Sequence, residues 1–402
     1  MKPTEVGAKY GPNPQQECAI TTDKGEESTI DILNGMPGYI NYLDASDGIL
    51  AVLELDSVLN MPCATVFKHC TPSGIGTSRG IVSDLERSIL DVPEDKKLTE
   101  LSLALIRAFQ TDPKSAMGGF VGLSRKVNYE TAMEMKPLVL DGVIAPDYEG
   151  EALEILKKKK DGGFAIIQMM ATLDKLPESA LYEERKILGL RFRYKRNNVV
   201  PTPDMIKNSI VSENKDVYRA TIEDLCVAGI AAKYSQSNSV SMAFDGQTTG
   251  VGAGGQSRVD VTELAGRKTD IFYLRSIPEV VALKFKDTVK SQDRLLTKLA
   301  YITGDLLRMA GSHPLLANLA EIPKPLSAER KEEYLRTYRD HIALWSDAFF
   351  PNRDGIDEAN KYGVKYIAHT GIGKYNEDII KAANEFGMIL IEVGKNARFF
   401  KH

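Results

Sequence analysis

A weak internal repeat constrains the fold of this chain more than any other feature of its sequence, because a duplicated unit must bury its apolar faces twice in the same way. Val66-Phe-Lys-His-Cys-Thr-Pro-Ser-Gly-Ile-Gly aligns with Met242-Ala-Phe-Asp-Gly-Gln-Thr-Thr-Gly-Val-Gly, so that Gly74-x-Gly76 falls on Gly250-x-Gly252. Further on, Ser115 to Ala132 aligns loosely with Ser346 to Ala359, and each stretch runs into an extended segment, Asp141-Gly-Val-Ile-Ala-Pro or Val364-Lys-Tyr-Ile-Ala-His-Thr-Gly. The order is the same in both halves. Residues 99–109 carry apolar positions at helical spacing, and Phe164-Ala-Ile-Ile-Gln-Met-Met after Asp161-Gly-Gly reads as a strand. Alternating helices and strands predict an α/β fold of two similar units, 1–197 and 198–402, with the crossover in the polar, Pro-bearing stretch Lys195 to Pro203. A helical insertion is expected over about 283–341, where Asp293 to Met309 is periodic and Ser327 can cap a second helix. Sites in such a fold belong on loops after strand ends, between units.

The chain has 402 residues, of which 43% are hydrophobic and 26% charged, enough for a large core of two or three domains without staples. Its net charge of -4 provides no global basic field, which argues against nucleic acid or an anionic membrane as the main partner. Cys18, Cys63, Cys70 and Cys226 show no CxxC spacing, so reduced thiols and a cytoplasmic setting are expected. Met1 to Tyr10 holds no apolar leader, and no run approaches the length of a membrane span. Lys157 to Lys160 reads as a solvated helix end with no role of its own.

Gly250-x-Gly252-x-x-Gly255 satisfies a dinucleotide-binding pattern, but it does not follow the first strand of a βαβ unit as that fingerprint requires. What survives is a glycine-rich segment that could admit an anion to backbone N–H groups, with Arg258 supplying charge. The working parts of zinc proteases, zinc deaminases, P-loop ATPases and serine hydrolases are missing: there is no HExxH, no HxE with PCxxC, no Walker A lysine and no GxSxG. No catalytic metal is expected. Lys68-His69 ends the apolar run Ala64-Thr-Val-Phe and precedes a segment whose Pro72 and Gly74 suggest a turn. A cation beside an imidazole favours the neutral base, which suits proton abstraction. From the residues alone, a surface lysine with a structural histidine remains open, as does Cys70 as a nucleophile beside His69. Asp347-Ala-Phe-Phe-Pro with Arg353-Asp354 is expected in a loop after a helix, either stacking on a heterocycle or forming a buried aromatic corner. Turn chemistry accounts for Tyr10-Gly-Pro-Asn-Pro.

Taken together, five segments in order resemble the AICAR transformylase family, folate-dependent formyltransferases that in many organisms are fused to inosinate cyclohydrolase. They are Lys9-Tyr-Gly-Pro-Asn-Pro-Gln-Gln, Phe67-Lys-His-Cys-Thr-Pro-Ser-Gly, Tyr234-Ser-Gln-Ser-Asn-Ser-Val with Asp245-Gly-Gln through Gly254-Gly-Gln-Ser-Arg258, Ser346-Asp-Ala-Phe-Phe-Pro, and Arg398-Phe-Phe-Lys-His. The first motif starts almost at Met1, so the stand-alone formyl transfer is expected without the cyclohydrolase domain. The resemblance implies two cytidine-deaminase-like three-layer units without zinc, and a homodimer with active sites at the interface.

The implied reaction moves the formyl group of 10-formyltetrahydrofolate onto the 5-amino group of the imidazole carboxamide ribonucleotide AICAR, giving FAICAR and tetrahydrofolate for purine synthesis. Lys68 and His69 fall on the family's catalytic pair, His69 as base and Lys68 as charge stabiliser, and Asn238 falls on the asparagine that bonds the formyl oxygen. Lys9, Tyr10, Gly118, Asp141, Arg258, Phe349 and Arg398 are placed around the nucleotide, and Val259, Pro351 and Asp354 near the folate. A structural potassium ion near Ser235, Ser237 and Asp347 is a further implication. Lys9 departs from the usual arginine, replacing a bidentate clamp with a point charge. Gln15 and Lys401 stand where the family has histidines, and Asn352 where it has a phenylalanine. Formylation from formate and ATP, or nucleotide binding without chemistry, are the alternatives.

Overall fold

The computed structural model describes residues 6–7, 11–13, 15–16, 18–21, 28–80, 82–308 and 313–402. Lys9 and Tyr10 lie outside them. Gln15 sits in an exposed turn closed by bonds from Gly11 N to Gln16 O and from Gln16 N to Asn13 O, as the turn composition of that segment predicts.

An eleven-stranded sheet runs through the chain. Its strands are β1 (Ile30–Asn34), β2 (Cys63–Lys68), β3 (Thr71–Thr77), β4 (Gly119–Leu123), β5 (Leu140–Ala145), β6 (Ala165–Met169), β7 (Val240–Phe244), β8 (Gln247–Gly252), β9 (Ile342–Ser346), β10 (Val364–His369) and β11 (Ile389–Glu392). Their spatial order is β11-β10-β9-β7-β8-β3-β2-β4-β5-β6-β1. The order β3-β2-β4-β5-β6 recurs as β8-β7-β9-β10-β11. Within each set an antiparallel hairpin is followed by an antiparallel neighbour and then by two parallel ones. Strands β3 and β8 meet antiparallel at Gly76 and Gln247, so the two sets run head to tail.

Both faces are covered, as buried parallel strands require. Helices α1 (Tyr39–Leu59) and α5 (Arg219–Lys233) share one face and one apolar cluster with Phe67, Ile75, Phe120, Trp345 and Ala368. The opposite face carries α2 (Glu100–Thr111), α3 (Tyr129–Met135) and α4 (Gly150–Lys157) over the first strand set. Over the second lie α6 (Arg258–Leu274), α7 (Ser291–Thr303), α8 (Ala328–Leu335), α9 (Asp354–Lys361) and α10 (Asn376–Glu385). The expected helix at 99–109 is α2, capped by Thr99, and the strand at 164–170 is β6. Ser327 caps α8 by accepting from Arg330 N.

The repeated glycines have a packing role and make no anion loop. Gly74 and Gly250 lie inside buried strands, and an added Cβ would stand 2.2 Å from the Ala108 carbonyl oxygen in one case and 2.1 Å from that of Ala265 in the other. They let α2 and α6 lie directly on the sheet. The looser second alignment agrees at its helical ends, α3 and α9, but Ser115 precedes β4 whereas Ser346 closes β9. One element was not anticipated: an antiparallel arm, Tyr182–Ile187 paired with Leu190–Lys195, with Leu188 fully exposed at its tip.

Candidate active site

Because the strand sets run head to tail, one edge of the sheet gathers the β2–β3 turn, the starts of β4 and β5, the segment before β7 and the ends of β8 to β11. The turn itself is His69–Cys70, both at positive φ, and Pro72 and Gly74 belong to the returning strand rather than to the turn. Lys68 is half-buried and its Nζ donates to the Met117 carbonyl at 2.7 Å, beside Gly118. His69 is exposed. Burial, with the nearby Asp44 carboxylate, pushes the Cys70 thiol up to about 11, so it is no thiolate at neutral pH. Asp141, next to the start of β5, pairs with Lys160. The lysine run is therefore not merely solvated: Lys159 donates to the carbonyls of Met135, Lys136 and Leu138 at and beyond the end of α3, and burial lowers it to about 8.

Across the edge lies a cleft of about 300 Å³. Asn238, Arg258, Val259, Phe349, Pro351, Asn352 and Asp354 all line it, together with Phe400. These residues come from four separated stretches of chain. Arg258 opens α6 and is buried; its guanidinium pairs with the fully buried Asp347, donates to the Ser239 carbonyl at 3.1 Å and reaches Asn238 Oδ1 at 2.9 Å. Asn238 in turn donates to the carbonyls of Gly255 and Gln256, both at 3.1 Å. The arginine thus organises the cleft from behind, and its Nε remains buried without a partner. Ser237 Oγ donates to the other Asp347 oxygen, while the Ser235 hydroxyl is bonded to the Ala231 carbonyl at 2.6 Å.

The loop carrying Phe349 follows strand β9 and leads into α9, a correction to its expected place after a helix. Both readings of its aromatics apply, one to each ring. Phe349 faces the cleft, and Phe350 is buried against Gly355. Arg353 pairs with Asp357 and Glu385, leaving Asp354 to the cleft.

The C-terminal segment joins the two groups. Phe399 stacks on Trp345 at 6.0 Å and donates from its backbone to Asp347 O at 2.8 Å. Arg398 is exposed, with its guanidinium 5.2 Å over the Phe400 ring. Lys401 pairs with Asp47 and donates to the carbonyls of Cys70 and Tyr234, each at 3.3 Å, and Ser237 N bonds its carbonyl at 3.0 Å. A larger cavity of about 570 Å³ lies under this segment and is lined by charged groups such as Asp47, Arg196 and Lys233, but of the expected residues it touches Lys401 alone.

Three groups were missed in the sequence. His369, at the end of β10, is fully buried with neither ring nitrogen bonded, and burial, then the Arg258 charge, lowers it to about 3. The repeat places it at a strand end, which was the available signal. Asp44 and Asp47 sit within an apolar-rich helix and gave no motif. Among the described residues no three His, Cys, Asp or Glu side chains gather as a metal site, and no helix is long and apolar enough to cross a membrane.

Residues 3–268 match the family model described as AICARFT/IMPCHase bienzyme. The chain belongs to that family. Relatives of this AICARFT/IMPCHase member include the bifunctional purine biosynthesis protein PurH of Elusimicrobium minutum, 28% identical over 98% of this chain and 58% of its own length. The proteins of the same name from Magnetococcus marinus and Persephonella marina are 28% and 26% identical, over 98% of this chain and 59% of theirs. The chain therefore spans just under three fifths of the curated relatives it matches.

Proposed function

We propose that this chain is an AICAR formyltransferase of purine biosynthesis that takes its formyl group from 10-formyltetrahydrofolate. The observation that carries the reading is the convergence of Asn238, Arg258, Val259, Phe349, Pro351 and Asp354 on one cleft, at the sheet edge that also bears Lys68 and His69. The naming of the relatives as bifunctional purine biosynthesis proteins supports the pathway.

The chemistry follows from the acceptor. Its 5-amino lone pair is delocalised into the ring and carboxamide, so the proton must leave as the nitrogen attacks the formyl carbon, and the resulting oxyanion needs a donor. His69, exposed at the turn, takes the proton and returns it to the folate N10 as the oxyanion collapses and the bond from the formyl carbon to N10 breaks, releasing tetrahydrofolate. Lys68 offsets the developing negative charge once its ammonium leaves the Met117 carbonyl. Asn238 donates to the formyl oxygen by exchanging one of its 3.1 Å bonds to Gly255 or Gln256. Phe349 stacks on the imidazole, Val259, Pro351 and Asp354 receive the folate, and Arg398, with Lys9 and Tyr10 from the N-terminal motif, serves the phosphate. Gly118, beside Lys68, and Asp141 serve the nucleotide. For a structural potassium ion the donors would be Ser235, Ser237 and Asp347: both serine hydroxyls donate their protons, to the Ala231 carbonyl and to Asp347, and so keep oxygen lone pairs for a cation.

Lys68, His69, Gly118 and Asp141 form one group and the cleft residues another, with Lys401 between them. We read them as complementary half-sites that a homodimer brings together at its interface. The repeated strand order supports two cytidine-deaminase-like units, 1–197 and 198–402. The test is to incubate the purified chain with the ribonucleotide and either 10-formyltetrahydrofolate or formate plus ATP. Release of tetrahydrofolate is expected; turnover with formate and ATP alone would overturn the folate assignment, and turnover with neither would leave a nucleotide-binding homologue.

A further inference from the structure

The His69–Cys70 turn is built from the wrong residues for its geometry. Two-residue hairpin turns with both central φ angles positive favour sequences such as Asn-Gly and Asp-Gly. The second hairpin obeys this, with Asp245 at φ 53° and Gly246 at 79°. His69 and Cys70 hold 56° and 60° although both carry a Cβ, a conformation L side chains resist. What stands against that resistance, besides the Lys401 bond to the Cys70 carbonyl, is one carboxylate that takes both turn amides. Asp44, on α1 and only 4% exposed, accepts from Cys70 N at 2.7 Å and from His69 N at 3.3 Å. Asp224, on α5 and 3% exposed, treats the second turn identically, accepting from Gly246 N at 2.7 Å and Asp245 N at 3.1 Å. The same clamp therefore occurs twice, once on a turn with no reacting group and once beneath the histidine.

We propose that Asp44 is a positioning residue of the formyl transfer: its carboxylate holds the strained His69–Cys70 turn closed and so fixes where the His69 imidazole points. The inference rests on the reading of His69 as the base. The two clamps differ in their surroundings. Asp224 also pairs with Arg79 at 2.9 Å, whereas the charges acting on Asp44 are those of His69 and Asp47. The remaining charged neighbour is Lys401, which pairs with Asp47 and donates to the Cys70 carbonyl. Burial lifts the Asp44 carboxyl from its ordinary 3.8 to about 6, so the ionised, two-acceptor clamp is lost as pH falls through that value. For folding the sign is opposite: a raised carboxyl favours the folded state most at low pH, and its contribution declines as pH rises from about 4 to 6. Activity and stability thus respond in opposite directions to the same proton.

The test is Asp44→Asn, which keeps shape and one acceptor oxygen, with Asp224→Asn as the matched control on the other turn. For D44N, kcat should fall about 10²-fold, the order expected when a reacting group is displaced by an ångström, with little change in nucleotide KM. D224N should lose thermal stability and keep its kcat. The acid limb of the native rate should steepen towards two protons and that of D44N should show one. Adding Cys70→Gly to D44N relaxes the turn and should recover at least about tenfold of the loss; if D44N does not fold, this double variant is read in its place, and a folded, inactive double variant overturns the clamp. So does a D44N enzyme with native kcat, or an equal loss of kcat in D224N. If His69→Ala retains its rate, the reading of His69 as base has failed instead, whatever D44N does.

Discussion

Replacing Arg258 with methionine removes the guanidinium that pairs with Asp347, a carboxylate with no solvent exposure. Removing one member of a buried ion pair leaves the other uncompensated and costs about 3–5 kcal/mol. The bonds from Arg258 to Asn238 and the Ser239 carbonyl belong to the same network, so their loss is contained in that figure rather than added to it. With an unfolding entropy of about 2.1 cal/mol/K per residue, a cooperative chain of 402 residues should melt roughly 4–6 °C lower. Activity has its own term. Asn238 Oδ1 loses a charge-assisted bond of about 1.5–3 kcal/mol, and if that bond orients the amide towards the formyl oxygen, the transfer slows by about 10- to 100-fold. Calorimetry and urea unfolding of R258M, D347N and the double variant check the reasoning, because removing both charges should leave a protein more stable than either single variant. An R258M protein within about 1 kcal/mol of native, or a double variant no better than the singles, would refute it.

Other consequences are open to simpler measurements. His69→Ala should slow formyl transfer by about 10²-fold or more, as loss of a general base does, in a steady-state assay with saturating donor. Gly74→Ala and Gly250→Ala should each cost about 1–3 kcal/mol or more in urea unfolding, since the new methyl meets a helix carbonyl at 2.2 or 2.1 Å. His369 titrates near 3 when folded, against about 6.5 unfolded. The unfolded chain therefore takes up the proton between those values, and stability present above about 6.5 is lost as pH falls, by up to about 1.4 kcal/mol per unit. His369→Phe should flatten that dependence relative to the native chain, and an unchanged slope assigns it elsewhere. Finally, inactive H69A and N238A chains, mixed and refolded together, should regain activity if the half-sites meet across a dimer; no recovery in a dimeric mixture places both in one chain.

The alternation of strands and helices was legible because the duplicated segments retain turn residues and apolar runs at matching positions, and the Val66 to Gly76 alignment fell on two real hairpins. Both glycine pairs were seen, but the second, Gly250-x-Gly252, was misassigned: local sequence cannot tell a backbone opened to an anion from one opened to a helix. Lys68-His69 was placed correctly at a strand end where the chain turns, but the turn was credited to Pro72 and Gly74, which are stronger turn formers than His69 and Cys70. The actual turn depends on Asp44, distant in sequence, and so leaves no local signature. The same holds for Arg258, whose role behind the cleft is set by Asp347 in the loop after β9. The arm at 182–195 was visible in principle, since Arg-Phe-Arg-Tyr alternates and Leu188-Gly189 can turn.

A donor carrying a ¹³C-labelled formyl group tests the central claim most directly. Incubated with the ribonucleotide and the native chain, it should place the label on the 5-amino nitrogen of the product, detected by NMR, with tetrahydrofolate released in equal amount. The His69→Ala chain should show little label over the same time. Label absent from the product of the native chain, or appearing equally fast with His69 removed, would contradict the account.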